Sequence, residues 1–420
     1  MIWIYNILIW LAAPIWVPWM LIRARRRSES VNWKERSGEY RIQMRKGSAR
    51  LWFHAVSVGE VVAALPILEE VRKLRPNAEI VLSVTTSSGH QTAREKAAHL
   101  FDHLVYFPID VPRFTLGALV KVRPHVVAIM ETELWMNFLW ACKSVDANTM
   151  VVNGRISDRS FPRKMRVKFF YQSLLRMLDF AFVQTDLDAE RLQHLGAREV
   201  AVLGNCKFDQ AMDGTDADVG SWRSVLGLTD SDSVVVIGST RGEMEEDFVI
   251  EALKDPRLAR FKVIHAPRHL ERVKDLADKV TKAFGSVALR SKGETGDYLI
   301  IDTYGELSQI YSVADLVVVG GGFDRLGGQN ILQPLAHGKP VIHGPNMQNF
   351  RDASELAARS GATIVASTPL ELAEAVSLLL TDPRKAQEMG KAARHLVMTN
   401  VGASRRYAER IVSLLPDQDS

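Results

Sequence analysis

The stretch Leu51–Leu74 reads LWFHAVSVGEVVAALPILEEVRKL and predicts a strand, a turn and a helix in direct succession. Its first residues are mostly apolar, as in a strand that is buried on both faces of a parallel sheet. Ser57 precedes a second apolar run, and Glu60 follows three residues later, which is the sequence form of a helix capping box. Glu60 is therefore either a capping residue or a carboxylate that takes a proton from a substrate.

The same alternation of strand and helix patterns continues along most of the 420 residues. A polar stretch rich in Gly and Asp, residues 209–222, interrupts it and is interpreted as a domain linker. Such alternation predicts an α/β protein with two Rossmann-like domains that face each other across a cleft. The predicted strands before and after the linker are RLWFHAV, AEIVLSV, HLVYFPI, HVVAIM, TMVVNG, FAFVQT and EVAVLG, then SVVVIGS, FKVIHAP, SVALRS, DYLIIDT, ADLVVVGGG, KPVIHGP and ATIVAS.

The first 22 residues carry no charge, and the sequence RARRR follows them directly. An uncharged run of this length suffices to cross a bilayer as a helix. Because the positive charges come after the apolar run, the positive-inside rule places the bulk of the chain in the cytoplasm. Pro14 and Pro18 would kink a spanning helix, so a segment that lies in one leaflet is the alternative. A buried helix of a soluble protein is a third interpretation.

Charge and cysteine content narrow the class of protein. The net charge is only +4, but cationic residues cluster at 23–27 and at 155–168. Anionic lipid, a phosphorylated substrate or nucleic acid could each explain such clusters. Two cysteines are too few for a disulfide framework and favour a reducing compartment. Neither a metal-ligand spacing nor a Gly-x-Ser-x-Gly nucleophile motif is present in the sequence.

Ligands of open parallel sheets bind at the carboxyl ends of the strands, so the loops there are expected to hold the chemistry. Glycines follow one predicted strand at 320–322, and polar groups follow others, as expected for a phosphate or nucleotide site. Helix caps and tight loops use the same residue types, which leaves a purely structural role open. METELWMN ends another strand with Glu131 and Glu133, which could serve chemistry or pair with the basic residues at 155–168.

Taken in order, these loops resemble those of one family, the 3-deoxy-D-manno-octulosonic acid (Kdo) transferases of lipopolysaccharide synthesis. The resemblance covers nearly the whole chain through FHAVSVGE, SVTTSSG, FPIDVP, METELWMN, VNGRISDRS, VLGNCKFD, IGSTRGE, APRHLER, DTYGEL and VVVGGGF…GGQNILQP…GKPVIHGPNMQNF. It implies a membrane-anchored glycosyltransferase of the two-domain GT-B fold at the cytoplasmic side of the bacterial inner membrane. Such an enzyme transfers Kdo from CMP-Kdo to a phosphorylated lipid A precursor (lipid IV A), with inversion. The resemblance implies neither a bound metal nor a further cofactor, and no nucleic-acid partner.

The resemblance also assigns roles to residues of this sequence. Glu60 matches the family's catalytic base, and Glu131 is the second catalytic candidate. The expected CMP-Kdo site comprises Lys207, Ser239, Thr240, Arg241, Arg268, His269, Gly321, Gly322, Asn330 and Gln333. Asn330 and Gln333 are expected on one helical face, where they would meet ribose hydroxyls. Gln329 stands where the family has histidine and Gln333 where it has a ribose-binding glutamate, so the affinity for nucleotide could differ.

These patterns divide the chain into five predicted segments. We expect a membrane anchor at 1–22, a basic juxtamembrane segment at 23–49, an N-terminal acceptor domain at 50–210, a C-terminal nucleotide-sugar domain at 223–395 and a C-terminal helix at 396–420. Three alternatives to the assigned function remain: a GT-B enzyme that uses another nucleotide sugar on a cell-envelope lipid, a catalytically weakened paralogue, and a two-lobed binding protein without catalysis.

Overall fold

The computed structural model describes residues 1–26, 31–258 and 261–417 of the chain. The chain divides into two compact units, one made of residues 1–206 with 401–420 and the other of residues 207–400. The division thus falls just before the stretch interpreted as a linker, and that stretch contributes helical residues to the second unit. Residues 27–30 of the predicted basic segment, including Arg27 of its cluster, and 418–420 of the predicted C-terminal helix lie outside the described residues.

The first unit is built on a parallel sheet whose inner strands are buried along almost their whole length. Its strands are β1 Arg50–Ala55, β2 Glu79–Val84, β3 His103–Tyr106, β4 Val126–Met130, β5 Asn148–Gly154, β6 Phe180–Val183 and β7 Val200–Val202. Its helices before residue 207 are α1 Ile2–Arg26, α2 Trp33–Arg36, α3 Val58–Leu74, α4 Ser87–Lys96, α5 Pro112–Val122, α6 Met136–Ser144, α7 Phe161–Arg166, α8 Lys168–Leu175 and α9 Asp186–Leu195. The strand order is β3-β2-β1-β4-β5-β6-β7.

Strand β1 lies in the middle of this sheet, between β2 and β4. Successive side chains of a strand point to opposite faces of the sheet. Accordingly Leu51 and Phe53 belong to one core cluster, together with Ile67 of α3, whereas Trp52 belongs to the cluster on the other face. Burial on both faces explains why the strands read as continuous apolar runs.

The second unit repeats this plan. Its strands are β8 Val234–Thr240, β9 Lys262–Pro267, β10 Ala288–Leu289, β11 Tyr298–Ile300, β12 Leu316–Val319, β13 Val341–His343 and β14 Thr363–Val365. Its helices are α10 Lys207–Ala211, α11 Val219–Val225, α12 Glu243–Leu253, α13 Val273–Phe284, α14 Leu307–Ile310, α15 Leu332–Ala336, α16 Arg351–Arg359, α17 Pro369–Thr381 and α18 Pro383–Asn400. Short 3₁₀ helices lie at Pro256–Leu258, Leu270–Arg272, Arg290–Lys292, Tyr311–Val313 and Gln348–Phe350. The parallel strands are ordered β10-β11-β9-β8-β12-β13-β14. All the runs predicted as strands therefore form strands, and the prediction of two Rossmann-like sheets is confirmed.

The end of the chain returns to the first unit as α19, Ala403–Val412. Tyr407 and Ile411 of this helix belong to the same core cluster as Val61 of α3. The buried Tyr407 hydroxyl donates a hydrogen bond to the carbonyl of Gly204, at 2.8 Å. The C-terminal segment is thus part of the core of the first unit.

Candidate active site

Glu60 lies in the first turn of α3, directly after the central strand β1. The Ser57 side chain caps the helix and accepts a hydrogen bond from the Glu60 N–H, at 3.4 Å. The Glu60 carboxylate in turn accepts a bond from the N–H of Val56, at 2.8 Å. In a standard capping box this carboxylate bonds the N–H of the cap residue, here Ser57, whereas Glu60 bonds the N–H one residue earlier.

Burial changes the acidity of this carboxyl group. Only 9% of Glu60 is exposed, and this burial raises the pKa of its side chain to about 7. The hydrogen bond from Val56 opposes the shift, whereas the negative charges of Glu131 and Glu133 add to it. The positive end of the helix favours the ionised carboxylate. In the structure desolvation outweighs that effect, so Glu60 exchanges a proton near neutral pH.

Glu131 and Glu133 belong to the loop after β4, the strand next to β1 in the sheet. Strand β4 ends at Met130, and Glu131 has the left-handed φ of 54° while its N–H still bonds the carbonyl of Val152, at 2.9 Å. Burial raises the pKa of Glu133, and the positive charge of Lys164 opposes that shift. The structure therefore brings three carboxyl groups together electrostatically at the carboxyl edge of the first sheet, with one cation of the basic cluster near Glu133.

In the second unit strand β8 ends with Ser239 and Thr240. Ser239 has a left-handed φ of 60°, where the pairing of β8 with β9 shifts register. Thr240 is buried, and its hydroxyl lies 2.7 Å from Nε2 of His265, whose Nδ1 lies 2.7 Å from the Tyr298 hydroxyl. The Thr240 hydroxyl thus takes part in a buried network within the unit, while Ser239 is partly exposed at the edge.

Glu245 connects two of the predicted binding loops, and sequence analysis did not single it out. Its fully buried carboxylate accepts hydrogen bonds from the backbone N–H groups of Arg241 and Gly321, at 2.7 Å each, and of Phe323, at 2.9 Å. It thereby fixes the turn after β12 against the turn after β8. The acidic run GEMEE is a local signal for a helix start, but nothing local shows that its fourth residue, Glu245, reaches another loop.

The glycines after β12 are required first by the protein itself. A Cβ atom on Gly320 would lie 2.5 Å from the Cα of Thr240, and one on Gly322 would lie 2.9 Å from the sulfur of Met347. Gly321 has a φ of +78°, and a Cβ atom there would lie 2.8 Å from the side chain of Gln329. We had interpreted these glycines as room for a ligand. The structure shows that close packing of protein chain already accounts for them, so substituting them would disturb the loop itself.

The cationic candidates differ in how they are held. The Arg268 N–H bonds the carbonyl of Thr240 at 2.9 Å, which fixes its backbone at the edge of the sheet, while its side chain is exposed. His269 lies 3.5 Å from the carboxylate of Glu271. Lys207 begins α10, with its ammonium group 5.9 Å from the centre of the Phe350 ring. Of these three side chains, that of Arg268 is the most exposed and therefore the most accessible to a ligand.

Asn330 and Gln333 do not share a helical face, contrary to the prediction. Helix α15 begins only at Leu332, and the Asn330 side chain accepts a hydrogen bond from the N–H of that residue, at 3.0 Å. Asn330 therefore caps the start of the helix from outside, whereas Gln333 lies within it and is partly exposed. Within the described residues no group of three or more His, Cys, Asp or Glu side chains is placed to hold a metal ion.

Comparison with known proteins identifies the family of this chain. Residues 31–210 match the sequence model of the family described as 3-Deoxy-D-manno-octulosonic-acid transferase (kdotransferase). The chain is 33% identical over 382 residues to the 3-deoxy-D-manno-octulosonic acid transferase of Bordetella pertussis, with 87% of each chain covered. The chain belongs to the Kdo transferase family. It is therefore a glycosyltransferase, as the sequence predicted.

Two further comparisons extend this result. The 3-deoxy-D-manno-octulosonic acid transferase of Chlamydia muridarum is 31% identical over 390 residues, which is 91% of this chain and 89% of that one. The crystal structure of UDP-GlcNAc 2-epimerase from Neisseria meningitidis covers 87% of this chain and 99% of its own, with a TM-score of 0.60 and 12% identity. The structural similarity shows the fold alone, and it confirms the GT-B type predicted for this family member.

Proposed function

We propose that the chain is an inverting glycosyltransferase that transfers Kdo from CMP-Kdo to a phosphorylated lipid A precursor, lipid IV A. It would act in lipopolysaccharide core biosynthesis at the bacterial inner membrane, with its catalytic domains on the cytoplasmic side. One observation carries this proposal: in a chain of the Kdo transferase family, Glu60 is a buried carboxyl group with a pKa of about 7 at the carboxyl edge of the first sheet.

Glu60 is proposed as the general base. The acceptor hydroxyl must lose its proton as its oxygen attacks the anomeric carbon of Kdo, and a base whose pKa lies near the working pH is the most effective. The proton passes to the Glu60 carboxylate, and CMP leaves with the electron pair of the broken C–O bond. Attack on the face opposite the leaving group inverts the anomeric centre and needs one carboxylate base rather than a nucleophile. The charge of Glu131 assists by raising the proton affinity of Glu60.

The second unit is proposed to bind the donor. The negative charge that develops on the departing CMP phosphate requires fixed positive groups. We assign this role to Arg241, Arg268 and Lys207, and contacts with the sugar and the ribose to Ser239, His269, Asn330, Gln333 and the turn at Gly321 and Gly322. Thr240 acts through its backbone and its buried contact with His265.

The acceptor phosphates are proposed to bind the basic cluster of the first unit. Arg163 and Arg166 of α7 are exposed, whereas Lys164 lies 3.1 Å from the Tyr171 hydroxyl and close enough to Glu133 to influence its pKa. Exposed guanidinium groups suit bidentate contacts with phosphate. Lys164 of this cluster would thus lie between the proposed phosphate site and the carboxyl groups around Glu60.

Arg268→Ala is expected to weaken CMP binding by about 10- to 100-fold, because a hydrogen bond to a charged group contributes about 1.5–3 kcal/mol. The melting temperature should not change, since the side chain is exposed. Lys274→Ala removes an exposed cation from the following helix and serves as the matched control. Titration calorimetry with CMP measures both variants, and equal affinities in the two would remove Arg268 from the proposed site.

The identity of the donor is tested by the same calorimetry on the parent chain. We expect CMP to bind more tightly than UDP. Tighter binding of UDP would instead support the alternative of a GT-B enzyme that uses another nucleotide sugar. A chain that bound CMP but transferred no sugar would be the weakened paralogue, for which Gln329 and Gln333 would be the first positions to examine.

A chain that starts at Val31 is expected to be soluble and folded. It lacks α1, whose length and composition would allow it to cross a membrane. None of the α1 residues from Ile2 to Trp19 is fully buried. Residual membrane binding through the basic cluster should disappear at high salt, because screening weakens contacts between exposed charges. Fractionation and a melting curve measure both properties. Salt-resistant membrane binding equal to that of the full chain would contradict the anchor assignment.

A further inference from the structure

Helix α1 is apolar except where it meets the first unit. Up to residue 22 its side chains carry no charge, and Tyr5 and Asn6 are its strongly polar side chains. The Tyr5 hydroxyl donates a hydrogen bond to the carboxylate of Asp110, at 2.7 Å. The amides of Asn6 and Asn137 exchange two hydrogen bonds, at 3.0 and 2.8 Å. The polar residues of the helix are thus used to attach its first turns to the protein.

The residues that receive these bonds are themselves firmly held. Asp110 and Asn137 are both buried, and the Asp110 carboxylate also accepts the N–H groups of Asn137 and Phe138 at the start of α6. Ile2 and Tyr5 pack against the core cluster on this face of the sheet, and the Tyr5 ring lies 5.8 Å from that of Phe170. The N-terminal end of α1 is therefore built into the first unit.

The other end of the segment is restrained as well. Arg36 donates hydrogen bonds to the carbonyls of Val31, at 2.9 Å, and of Thr85, at 2.7 Å, so Val31 is held at the end of β2. The 25 residues of α1 form a helix about 37 Å long. From Arg26 to Val31 the chain can reach at most about 18 Å. A helix that starts on the unit and must return to it within that reach cannot stand upright on its surface.

Exposure along α1 agrees with a helix that lies flat. The less exposed side chains recur every three or four residues, at Ile2, Tyr5, Asn6, Ile9, Ala13, Trp16 and Val17. This spacing places them on the face that carries the docking residues. The opposite face exposes large apolar side chains along its length, from Trp3 (81% exposed) through Leu11 and Ile15 to Trp19 (59%).

We infer that α1 is an in-plane membrane helix, docked on the first unit by its first turns, whose exposed apolar face enters one leaflet without crossing the bilayer. The occupant of that face is a lipid leaflet, because a long exposed row of Trp and aliphatic side chains without any charge is unfavourable in water, and Trp is enriched at membrane interfaces. Phe169, which is 61% exposed and adjacent to Phe170, extends the apolar surface onto the unit.

The consequence concerns the acceptor, and here the inference rests on the proposed function. Asp110 follows β3 and Thr85 follows β2, so both attachment points lie at the carboxyl edge of the first sheet, where Glu60 follows β1. The in-plane helix would hold this edge at the membrane surface. A lipid acceptor could then present its sugar hydroxyl to Glu60 while its acyl chains stay in the leaflet.

The inference is tested by measuring the depth of spin labels in the full-length chain, bound to vesicles of phosphatidylethanolamine with phosphatidylglycerol. Single cysteines replace Ile4, Leu8, Leu11, Ile15 and Ile22, which are all exposed and lie within about 60° of one another around the helix. The native thiols, Cys142 and Cys206, are buried, and the unsubstituted chain measures their background labelling. An in-plane helix predicts similar depths at all five positions, about 5–10 Å below the headgroups. A spanning helix predicts a maximum near residue 11, about 10 Å deeper than residue 4.

A peaked profile would overturn the inference, and so would labels that all remain in water. Transfer of Kdo to lipid IV A, measured in the same vesicles, reports separately on the proposed function. As a second measurement, Tyr5→Phe combined with Asn6→Leu removes the docking hydrogen bonds and keeps the helix apolar. We expect this pair to increase the mobility of a label at position 7, whereas unchanged mobility would contradict the docking.

Discussion

Glu60→Gln is expected to lower turnover by about 10²- to 10⁴-fold, the usual contribution of general-base catalysis. The amide oxygen of glutamine can still accept the hydrogen bond from the Val56 N–H, so the capping box is retained. Its amide nitrogen cannot accept the proton of the acceptor hydroxyl. CMP binding is expected to stay unchanged, because the donor is assigned to the second unit. A steady-state transfer assay with CMP calorimetry measures this separation.

The pH dependence gives the same variant a second signature. Since the pKa of Glu60 is raised from an ordinary 4.5 to about 7, the activity of the parent enzyme should rise as pH increases through about 7. The stability of the fold changes with pH in the opposite direction. A carboxyl group with a raised pKa stabilises the fold most below its unfolded value of 4.5, and this contribution is lost as pH rises through 7. Glutamine does not ionise, so the variant should melt no lower than the parent at about pH 8.

Glu60→Ala is the control for a purely structural role. It removes both the base and the acceptor for the Val56 N–H, so it should lose activity and also melt at a lower temperature. If Glu60 served only as a cap, the glutamine variant would keep near-normal turnover and only the alanine variant would fail. Fully active Glu60→Gln enzyme would therefore end the catalytic assignment.

The second large effect is expected for Glu245→Gln. The buried carboxylate accepts three backbone N–H groups, and the amide nitrogen of glutamine would face at least one of them, donor against donor. Each buried donor left without an acceptor costs about 1–3 kcal/mol. We expect a lower urea midpoint and at least about tenfold weaker CMP binding, because the turn after β12 loses its attachment to the turn after β8.

Glu251→Gln tests whether this effect is specific. It makes the same chemical change at an exposed position of the same helix, and it should leave the urea midpoint and CMP binding unchanged. If Glu245→Gln behaved like this control, the buried carboxylate would not organise the two loops. Loss of stability with normal CMP affinity would limit Glu245 to a role in folding.

The sequence predicted the two sheets because the signal for a parallel strand is local. Runs such as LWFHAV and ADLVVVGGG are mostly apolar, since their strands are buried on both faces. The capping box at Ser57 and Glu60 is also contained in one short stretch, and it was recognised there. What the sequence alone did not determine was the balance between the helix end and burial at Glu60, because burial depends on elements that are distant along the chain.

The errors in the candidate site have the same origin. Asn330 and Gln333 are three residues apart, a helical spacing, but the helix begins only between them and Asn330 caps it. Glu245 looked like one more acidic residue at a helix start, yet its carboxylate bonds Gly321 and Phe323, more than seventy residues away along the chain. The glycines after β12 were interpreted as space for a ligand because the neighbouring chain that fills this space cannot be seen in the sequence.

The central claim is transfer of Kdo to a lipid A precursor, and mass spectrometry of the reaction product tests it most directly. The purified full-length chain is incubated with CMP-Kdo and lipid IV A, with Glu60→Gln as the control. We expect lipid IV A to gain the mass of one or more Kdo residues with the parent chain, and the control to form the same product far more slowly. Lipid IV A of unchanged mass after incubation with folded, CMP-binding parent chain would contradict the claim.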